Sequence, residues 1–347
     1  MLDQMEDAGL ERLHFAVDAV TGMRAIIAIH STRRGPAIGG CRFIPYADEA
    51  DAVTDAIRLA RGMSYKAALA GLPHGGVKAV VIKPDHPFDR RALMQAFGRM
   101  IEGLGGDYIT AMDSGTQVTD MDAISETTRY VTCTSTFGDP SPYTALGVFE
   151  GIKASLKHRH GSANLEGCHV AIQGLGHVGY ALARHLHQAG AELTVADINS
   201  NLVEKAVNEF DARPVPADLI YQVNADIFSP CGLGAILNDK TIDQLKTGII
   251  AGSANNQLLA PSHGEQLHQR GILYAPDYLI NAGGLIFVAL HHAGQDSDLI
   301  HQKVLKIGTT LQQLYQHASQ QNTATHQIAD QQAEAIITQS THFHPAA

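Results

Sequence analysis

The chain has 347 residues, of which 45% are hydrophobic and 17% are charged, so it can bury large cores and its length suggests about two domains. The formal net charge of −10 argues against a nucleic-acid partner and against a basic membrane-binding patch. No apolar run reaches the roughly 18 residues that a membrane span needs, and the acidic N-terminus lacks the apolar core of a signal peptide. The 4 cysteines are widely spaced and the 19 histidines show no metal-ligand spacing, so we expect a reduced, cytoplasmic protein without a metal.

The first block of the chain alternates predicted strands and helices. Strands are expected over 13–17, 24–30 and 108–111, and helices over 48–70, about 89–103 and near 119–128. A glycine-rich loop over 71–76 leads into Lys78 and a β-branched run at 80–82. This block is therefore α/β by itself.

Residues 137–142 form the predicted linker, because two prolines around a serine interrupt both helices and strands. The second block is predicted to begin with a helix over 144–156 and to contain β-like segments at 168–173, 192–196, 225–228, 248–251 and 272–275. From residue 297 the chain is predicted to be helical, with a frayed end over 340–347. We assign 1–139 to a substrate and oligomerisation domain and 140–321 to a dinucleotide-binding domain; the C-terminal helix, about 322–347, is expected to return to the first.

A G-x-G-x-x-G motif lies between a predicted strand and a predicted helix. It consists of Gly174, Leu175, Gly176, His177, Val178 and Gly179. The glycines permit a tight turn, close approach of a pyrophosphate and close helix–strand packing, and the helix N-terminus attracts the phosphates. Asp197 ends the next predicted strand, near the spacing expected for a carboxylate that binds the ribose 2′-OH of NAD and repels the 2′-phosphate of NADP. The sequence therefore predicts a doubly wound, Rossmann-type domain that binds NAD, and the alternative is a glycine-rich turn in another α/β protein.

Two lysines and one aspartate of the first block are candidates for chemistry. Lys66 lies near the end of the predicted helix, Lys78 follows two glycines, and Asp113 follows a predicted strand. Lysine acts as a base when burial lowers its pKa, and aspartate can relay the proton. Each lysine could instead be a solvated surface charge. For Lys78 this alternative is weaker, because the apolar run that follows it argues against an exposed position.

Several motifs of this sequence resemble the glutamate/leucine/phenylalanine/valine dehydrogenase family, in its leucine/phenylalanine/valine branch. The resemblance spans about residues 25–314 and is carried by the segments 35–42 (GPAIGGCR), 61–66 (RGMSYK), 75–78 (GGVK), 110–113 (TAMD), 140–148 (PSPYTALGV), 173–176 (QGLG), 229–231 (SPC), 251–256 (AGSANN) and 281–284 (NAGG). It implies two α/β domains with a cleft between them.

The resemblance also implies roles for individual residues. Lys66 would bind the substrate α-carboxylate, helped by Gly39, Gly40 and Asn255. Lys78 would activate water and polarise the imine or carbonyl, and Asp113 would exchange protons with the amine. Thr144 and Asn255 would seat the nicotinamide. The family usually has a third glycine where this chain has Val77, and we expect this β-branched residue to shift Lys78 slightly.

By the same resemblance, an apolar side-chain pocket is formed by Ile38, Ala111, Leu285 and Val288. Such a pocket excludes a glutamate side chain, whose buried carboxylate would be unpaired. The bulk of Ala111 and Val288 favours branched aliphatic substrates. Leu285 and Val288 could also be ordinary core residues of a helix.

The sequence thus predicts reversible, NAD-dependent oxidative deamination of an L-amino acid to the 2-oxo acid, ammonium and NADH. Leucine-like substrates are favoured, and the alternative is phenylalanine or another aromatic amino acid. A homo-oligomer, from dimer to octamer, is expected. A more distant alternative is a non-catalytic NAD-binding protein, against which the joint presence of Lys66, Lys78 and Asp113 argues.

Overall fold

The computed structural model describes residues 1–339, and these form two compact units. Unit 1 comprises Met1–Asp139, Val288–Gln295 and the described residues from 333 onward, and unit 2 comprises Pro140–Phe287 and Asp296–Gln332. Compared with the division predicted from the sequence, residues 288–295 therefore belong to unit 1, and residues 322–332 belong to unit 2. The predicted frayed end, 340–347, lies outside the described residues.

Unit 1 is built on a mixed, five-stranded sheet in the order β1-β2-β4-β3-β5. Its strands and helices in residues 1–139 are α1 (Leu2–Ala8), β1 (Arg12–Asp18), β2 (Met23–Ser31), β3 (Ala37–Ile44), α2 (Glu49–Leu69), β4 (Gly75–Ile82), α3 (Arg90–Glu102), β5 (Tyr108–Met112) and α4 (Val118–Ser125). β2 is antiparallel to β1 and β4, whereas β3 is parallel to both β4 and β5. Because the three parallel strands end at one edge, side chains that follow them can lie close together.

Helix α2 covers one face of this sheet. The apolar face predicted from its periodicity is buried, with Ala52, Ala56 and Ala60 fully inaccessible and packed against residues of β2 and β4. Asp48 caps the helix by accepting a hydrogen bond from the Ala50 amide. The sheet and α2 are thereby fixed against each other.

The sequence did not predict β3, although it is a central strand of the sheet. Its adjacent glycines, Gly39 and Gly40, lower the β-propensity of the segment. The strand forms because it pairs with β4 on one side and β5 on the other. A Cβ atom on Gly39 would lie 2.9 Å from the Val77 carbonyl carbon, so glycine permits this close pairing.

Unit 2 contains a six-stranded sheet in the order β11-β10-β9-β6-β7-β8, in which every pair is parallel. Its elements begin with α5 (Ser141–His160), β6 (His169–Gln173), α6 (His177–Gln188), β7 (Glu192–Ala196), α7 (Ser200–Phe210), β8 (Arg213–Pro214), β9 (Ile227–Pro230), α8 (Asp239–Ile242) and β10 (Ile249–Ile250). They continue with α9 (Pro261–Gln269), β11 (Leu273–Tyr274), α10 (Asp277–Ile280), α11 (Gly283–His292), α12 (Ser297–Gln321) and α13 (Thr325–Gln339), of which parts of α11 and α13 belong to unit 1. This strand order is that of the Rossmann fold, which confirms the predicted doubly wound sheet.

Two predicted boundaries are corrected by the structure. Helix α5 begins at Ser141, inside the predicted linker, because Pro142 lies in its first turn, where a missing amide hydrogen costs nothing. Gly75 and Gly76 belong to strand β4 and not to the preceding loop, because β4 pairs with β2 and β3 from these residues onward.

Across residues 1–339, no helix is long and apolar enough to span a membrane. Within the same residues, no cluster of histidine, cysteine, aspartate or glutamate side chains is arranged to hold a metal ion.

Candidate active site

Lys78 lies on the face of β4 that is covered by α2. Its neighbour on that face, Gly76, touches the helix: a Cβ atom there would lie 2.5 Å from Ser64 Cα and closer still to the Ser64 amide nitrogen. Strand and helix can therefore approach only because residue 76 has no side chain. The result is that Lys78 is 7% exposed, as its apolar flanks suggested.

Asp113 forms an ion pair with Lys78 through its Oδ2 atom and the lysine Nζ atom. It directly follows β5, which runs parallel to β3. Gly40 of β3 leaves room for this carboxylate, because a Cβ atom on Gly40 would lie 2.8 Å from Asp113 Cβ. The structure thus brings the predicted acid/base pair together and places Gly40 directly beside it.

Burial lowers the pKa of Lys78 to about 7, and the positive charges of Arg42 and Lys66 act in the same direction. The Asp113 carboxylate in contact with the ammonium opposes this change. A lysine whose pKa is moved toward neutrality can exchange protons at physiological pH, which an exposed lysine cannot do. The electrostatics of the site therefore suit a general acid/base lysine.

Lys66 lies in the last turn of α2 and is half-buried. Its positive charge acts on Lys78, so the two ammonium groups belong to one electrostatic site. Two neighbouring positive charges favour an anionic ligand, because the anion relieves their repulsion. This arrangement is compatible with a carboxylate between them.

Val77 lies in β4 beside an irregularity of the sheet, where the pairing with β2 shifts register between Ile29 and Ser31. Its φ is not in the left-handed region, it pairs with Ile29 of β2, and its side chain is fully buried. An extended conformation is ordinary for a β-branched residue. The Lys78 side chain contacts Asp113 from this strand, and the expected slight shift caused by Val77 stays a prediction.

Arg42, Tyr46 and Asp55 were missing from the predicted site. Arg42 of β3 contacts the Asp55 carboxylate of α2, and its second terminal nitrogen lies 4.0 Å from Asp113 Oδ1. Tyr46 donates a hydrogen bond to Asp55 at 2.6 Å. The available signal was the position of Arg42 at the end of the GPAIGGCR motif.

The glycine motif of unit 2 forms a tight turn between β6 and α6. Gly174 has a φ of +94°, and a Cβ atom there would lie 2.8 Å from the Gly232 amide nitrogen. A Cβ atom on Gly179 would lie 3.0 Å from the Gly174 carbonyl carbon, so Gly179 permits close packing of α6. In contrast, a Cβ atom on Gly176 would meet no protein atom within 4 Å.

Gly176 is the N-cap of α6, where His177 and Val178 form the first turn. The space that a side chain would fill there lies at the N-terminal end of the helix, whose dipole attracts phosphate groups. The residues present therefore fit the pyrophosphate of a dinucleotide.

Asp197 directly follows β7, beside the glycine turn. Its Oδ2 atom accepts a hydrogen bond from the Leu175 amide at 2.6 Å, and its Oδ1 atom accepts one from the Asn199 amide at 2.7 Å. These bonds fix the carboxylate at the carboxyl edge of the sheet, where the ribose of a dinucleotide binds in this fold. The structure thus brings Asp197 and the glycine motif together, as the sequence predicted.

The two remaining polar candidates are held by hydrogen bonds within unit 2. Thr144 of α5 donates to the Pro140 carbonyl at 3.3 Å. The side-chain oxygen of Asn255 accepts from the Asn281 amide group at 2.9 Å, and Asn281 also donates to the Ser253 carbonyl at 3.1 Å. Asn281 is thus a positioning residue that the sequence showed only as part of the NAGG motif.

The four apolar candidates lie on three elements. Ile38 of β3 is fully buried, and Ala111 at the end of β5 is half-buried and pairs with Gly40. Leu285 and Val288 lie one turn apart on α11, where Leu285 is half-buried and Val288 is 5% exposed. Both interpretations of Leu285 and Val288, as pocket lining or as core, stay open.

Comparison with known proteins places this geometry in context. The family model for the Glu/Leu/Phe/Val dehydrogenase dimerisation domain matches residues 11–130, and the model for glutamate/leucine/phenylalanine/valine dehydrogenase matches residues 139–212 and 195–342. A leucine dehydrogenase of Geobacillus stearothermophilus is 49% identical over 96% of this chain and 92% of its own length. A valine dehydrogenase of Streptomyces albus is 42% identical, covering 96% and 94%.

The crystal structure of L-tryptophan dehydrogenase from Nostoc punctiforme is similar to this structure with a TM-score of 0.88 and 42% sequence identity, covering 98% of this chain and 99% of that one. These matches span both units and every site described above. The chain belongs to the glutamate/leucine/phenylalanine/valine dehydrogenase family.

Proposed function

We propose that this chain is an NAD-dependent leucine dehydrogenase. It converts an L-amino acid, NAD⁺ and water into the 2-oxo acid, ammonium, NADH and a proton, and the reaction is reversible. The observation that carries this proposal is the buried ion pair of Lys78 and Asp113, to which Lys66 adds a second positive charge. The leucine dehydrogenase of Geobacillus stearothermophilus, at 49% identity, supports the choice of substrate.

Lys66 and the strand around Gly39 and Gly40 are proposed to bind the substrate carboxylate. The Lys66 ammonium attracts the anion, and the glycines let it approach the backbone. Asn255, held by Asn281, is proposed to help bind the carboxylate and to seat the nicotinamide, together with Thr144. A carboxylate fixed in this way places the α-carbon and its amino group near Lys78 and Asp113.

The nicotinamide ring, which Thr144 and Asn255 are proposed to seat, would supply the acceptor for a hydride from the substrate α-carbon, and the substrate would become an imine. Asp113 is proposed to take a proton from the substrate ammonium before that step and to return one to the departing amine. Neutral Lys78 is proposed to remove a proton from the water that attacks the imine carbon. Its protonated form then polarises the developing oxygen.

For the cofactor, the proposal is NAD and not NADP. The first turn of α6 and the open space at Gly176 suit the pyrophosphate. Asp197 is fixed beside this turn. Its carboxylate would accept a hydrogen bond from the ribose 2′-OH. A 2′-phosphate near the same carboxylate is repelled by its like charge.

For the side chain, Ile38, Ala111, Leu285 and Val288 are proposed as an apolar pocket for a branched aliphatic group. A specific observation also favours a second candidate, an aromatic amino acid, because the similar structure with a TM-score of 0.88 is an L-tryptophan dehydrogenase. The methyl group of Ala111 and the branched Val288 reduce the space that an aromatic ring needs, so the leucine-like substrate is preferred.

The proposal is tested by measuring kcat/KM of the purified protein with NAD⁺ and NADP⁺ for leucine, valine, isoleucine, phenylalanine, tryptophan and glutamate. We expect leucine or another branched substrate with NAD⁺ to give the highest value, and Lys83→Ala, at an exposed lysine just beyond β4, to leave it unchanged. A maximum with phenylalanine or tryptophan selects the second candidate. If none of these amino acids is turned over, the proposal that the chain is an amino-acid dehydrogenase is wrong.

We further propose that the protein is a homo-oligomer that associates through β1. This strand ends the sheet order of unit 1, and its Phe15 and Val17 side chains are 52% and 75% exposed. An exposed apolar edge strand is a template for pairing with a second copy. The family model that covers this strand describes a dimerisation domain.

Light scattering measures the mass of this oligomer. We expect the double variant Phe15→Glu/Val17→Glu to lower this mass. The control, Val20→Glu, also introduces a negative charge, but in the exposed turn after β1, and should leave the mass unchanged. A monomeric wild type contradicts the proposal, as does an unchanged mass in the double variant.

A further inference from the structure

One arginine connects two carboxylates around the proposed acid/base pair. The Nη1 atom of Arg42 contacts Asp55 Oδ2, and its Nη2 atom lies 4.0 Å from Asp113 Oδ1, while Asp113 Oδ2 contacts Lys78. Side-chain exposure is 19% for Arg42, 15% for Asp55 and 16% for Asp113. At this burial, charge interactions are screened far less than at the surface, so each one influences its neighbours.

Asp55 holds Arg42 through the terminal nitrogen that does not face Asp113. Besides Arg42, the Asp55 carboxylate binds the Tyr46 hydroxyl at 2.6 Å and the Arg58 guanidinium at 3.2 Å. Although burial opposes it, the hydrogen bond from Tyr46 and the charge of Arg42 lower the pKa of Asp55. Asp55 therefore remains a carboxylate and keeps Arg42 in one orientation.

Arg42 acts on the acid and the base in complementary ways. Its positive charge attracts the Asp113 carboxylate, and it disfavours the ammonium form of Lys78. The charged or titratable groups that act on Lys78 are Asp113 after β5, Arg42 and Cys41 on β3, and Lys66 and Asp55 on α2. Two of these groups, Lys78 and Arg42, lie within ion-pair distance of Asp113.

We propose that Arg42, anchored by Asp55 and Tyr46, is a positioning residue that fixes the Asp113 carboxylate against Lys78 and places a positive charge beside this acid/base pair. This inference rests on the proposed function, because it assigns Arg42 a part in the proton transfers of that reaction. The competing explanation is that Arg42 only links β3 to α2 and contributes to stability.

Opposite changes of charge distinguish the two explanations. Arg42→Gln removes a positive charge near Lys78 and therefore raises the pKa of the lysine amine. In the pH profile of kcat/KM for oxidative deamination, the fall in activity at low pH (the acid limb) then moves to higher pH by about 0.5–1 unit. Asp55→Asn removes a negative charge that favours the ammonium form, so the limb does not move upward. Arg42→Gln removes the positioning group and Asp55→Asn weakens its anchor. We therefore expect kcat to fall about 10- to 100-fold in each variant.

Arg58→Gln is the matched control. Arg58 also contacts Asp55, but its side chain is 63% exposed and Arg42 stays in place when it is removed. We expect wild-type kcat and an unmoved acid limb. Near-ultraviolet circular dichroism and the thermal midpoint confirm that each variant is folded before its profile is interpreted.

A second measurement does not depend on turnover. Competitive acetylation with trace acetic anhydride, followed by mass spectrometry of the peptide that contains Lys78, gives the pKa of its amine in the folded protein. We expect Arg42→Gln to raise this pKa and Arg58→Gln to leave it unchanged. If the wild type lacks turnover, the proposed function fails, yet the acetylation data still test Arg42. The inference is overturned if a folded Arg42→Gln variant has the same Lys78 pKa as the wild type and the same acid limb in the pH profile of kcat/KM.

Discussion

Replacing Gly76 by alanine should separate the strand that carries Lys78 from the helix that carries Lys66. The added Cβ atom lies 2.5 Å from Ser64 Cα, whereas an ordinary contact begins at 3.4 Å. The two elements must therefore move apart by at least about 0.9 Å. Ser64 cannot easily turn away, because its hydroxyl is hydrogen-bonded to His30 Nδ1 at 2.8 Å and the closest atom is its backbone nitrogen.

The size of the effect follows from this displacement. A shift of about 1 Å in a catalytic group costs about 100-fold in rate, so kcat/KM for leucine should fall about 10- to 100-fold. Overpacking of a buried contact costs about 1–3 kcal/mol of unfolding free energy. For a unit of this size, each kcal/mol lowers the thermal midpoint by about 2–4 °C.

The assay compares Gly76→Ala with Gly62→Ala. Gly62 lies inside α2, and a Cβ atom there meets no protein atom within 4 Å. Alanine at an open helix position stabilises by about 0.5–1 kcal/mol, so this control should keep its activity and gain stability. If Gly76→Ala keeps kcat/KM within about twofold of the wild type, the close approach does not position the lysines and the reasoning is wrong.

Three further predictions concern the proposed chemistry and specificity. Lys78→Ala should lower kcat by at least about 100-fold while fluorescence titration shows unchanged NADH binding, and retention of about a tenth of kcat would exclude a general acid/base role. Asp197→Ser should reduce the ratio of kcat/KM for NAD⁺ to that for NADP⁺, and an equal use of both cofactors by the wild type would remove Asp197 from the ribose site. Ala111→Gly combined with Val288→Ala should raise kcat/KM for phenylalanine relative to leucine about tenfold or more in a two-substrate assay, because a methylene-scale change in an apolar pocket is worth about 1–3 kcal/mol. A wild type that already prefers phenylalanine would contradict this volume argument.

Local patterns in the sequence predicted those parts of the structure whose cause is local. The apolar face of α2 repeats with the helical period, and the G-x-G-x-x-G motif with Asp197 depends on spacing along one strand–helix–strand unit. Strand β3 escaped prediction because pairing on both sides, and not its own propensity, stabilises two glycines in a strand. Short strands such as β8, with two residues, carry no periodic signal at all.

Contacts between distant residues explain most of what the sequence could not predict in the site. Arg42 and Asp55 lie 13 positions apart, on a strand and a helix whose packing is needed before the pair exists. Asn255 and Asn281 are 26 positions apart and are likewise joined by tertiary structure alone. The sequence alone is equally compatible with many other polar pairs, so neither contact could be predicted from it.

The glycines of the G-x-G-x-x-G motif differ in what their surroundings require of them. Gly174 and Gly179 are required by the protein itself, because of a left-handed backbone in one case and backbone contact in the other. Gly176 meets no such requirement, since its missing side chain faces open space. A mutational library selected only for folded, soluble protein should therefore accept alanine at 176 and reject it at 174 and 179. The same library selected for growth that depends on turnover should reject alanine at all three positions, so the comparison of the two selections reveals which glycine is kept by its ligand and which are kept by the fold.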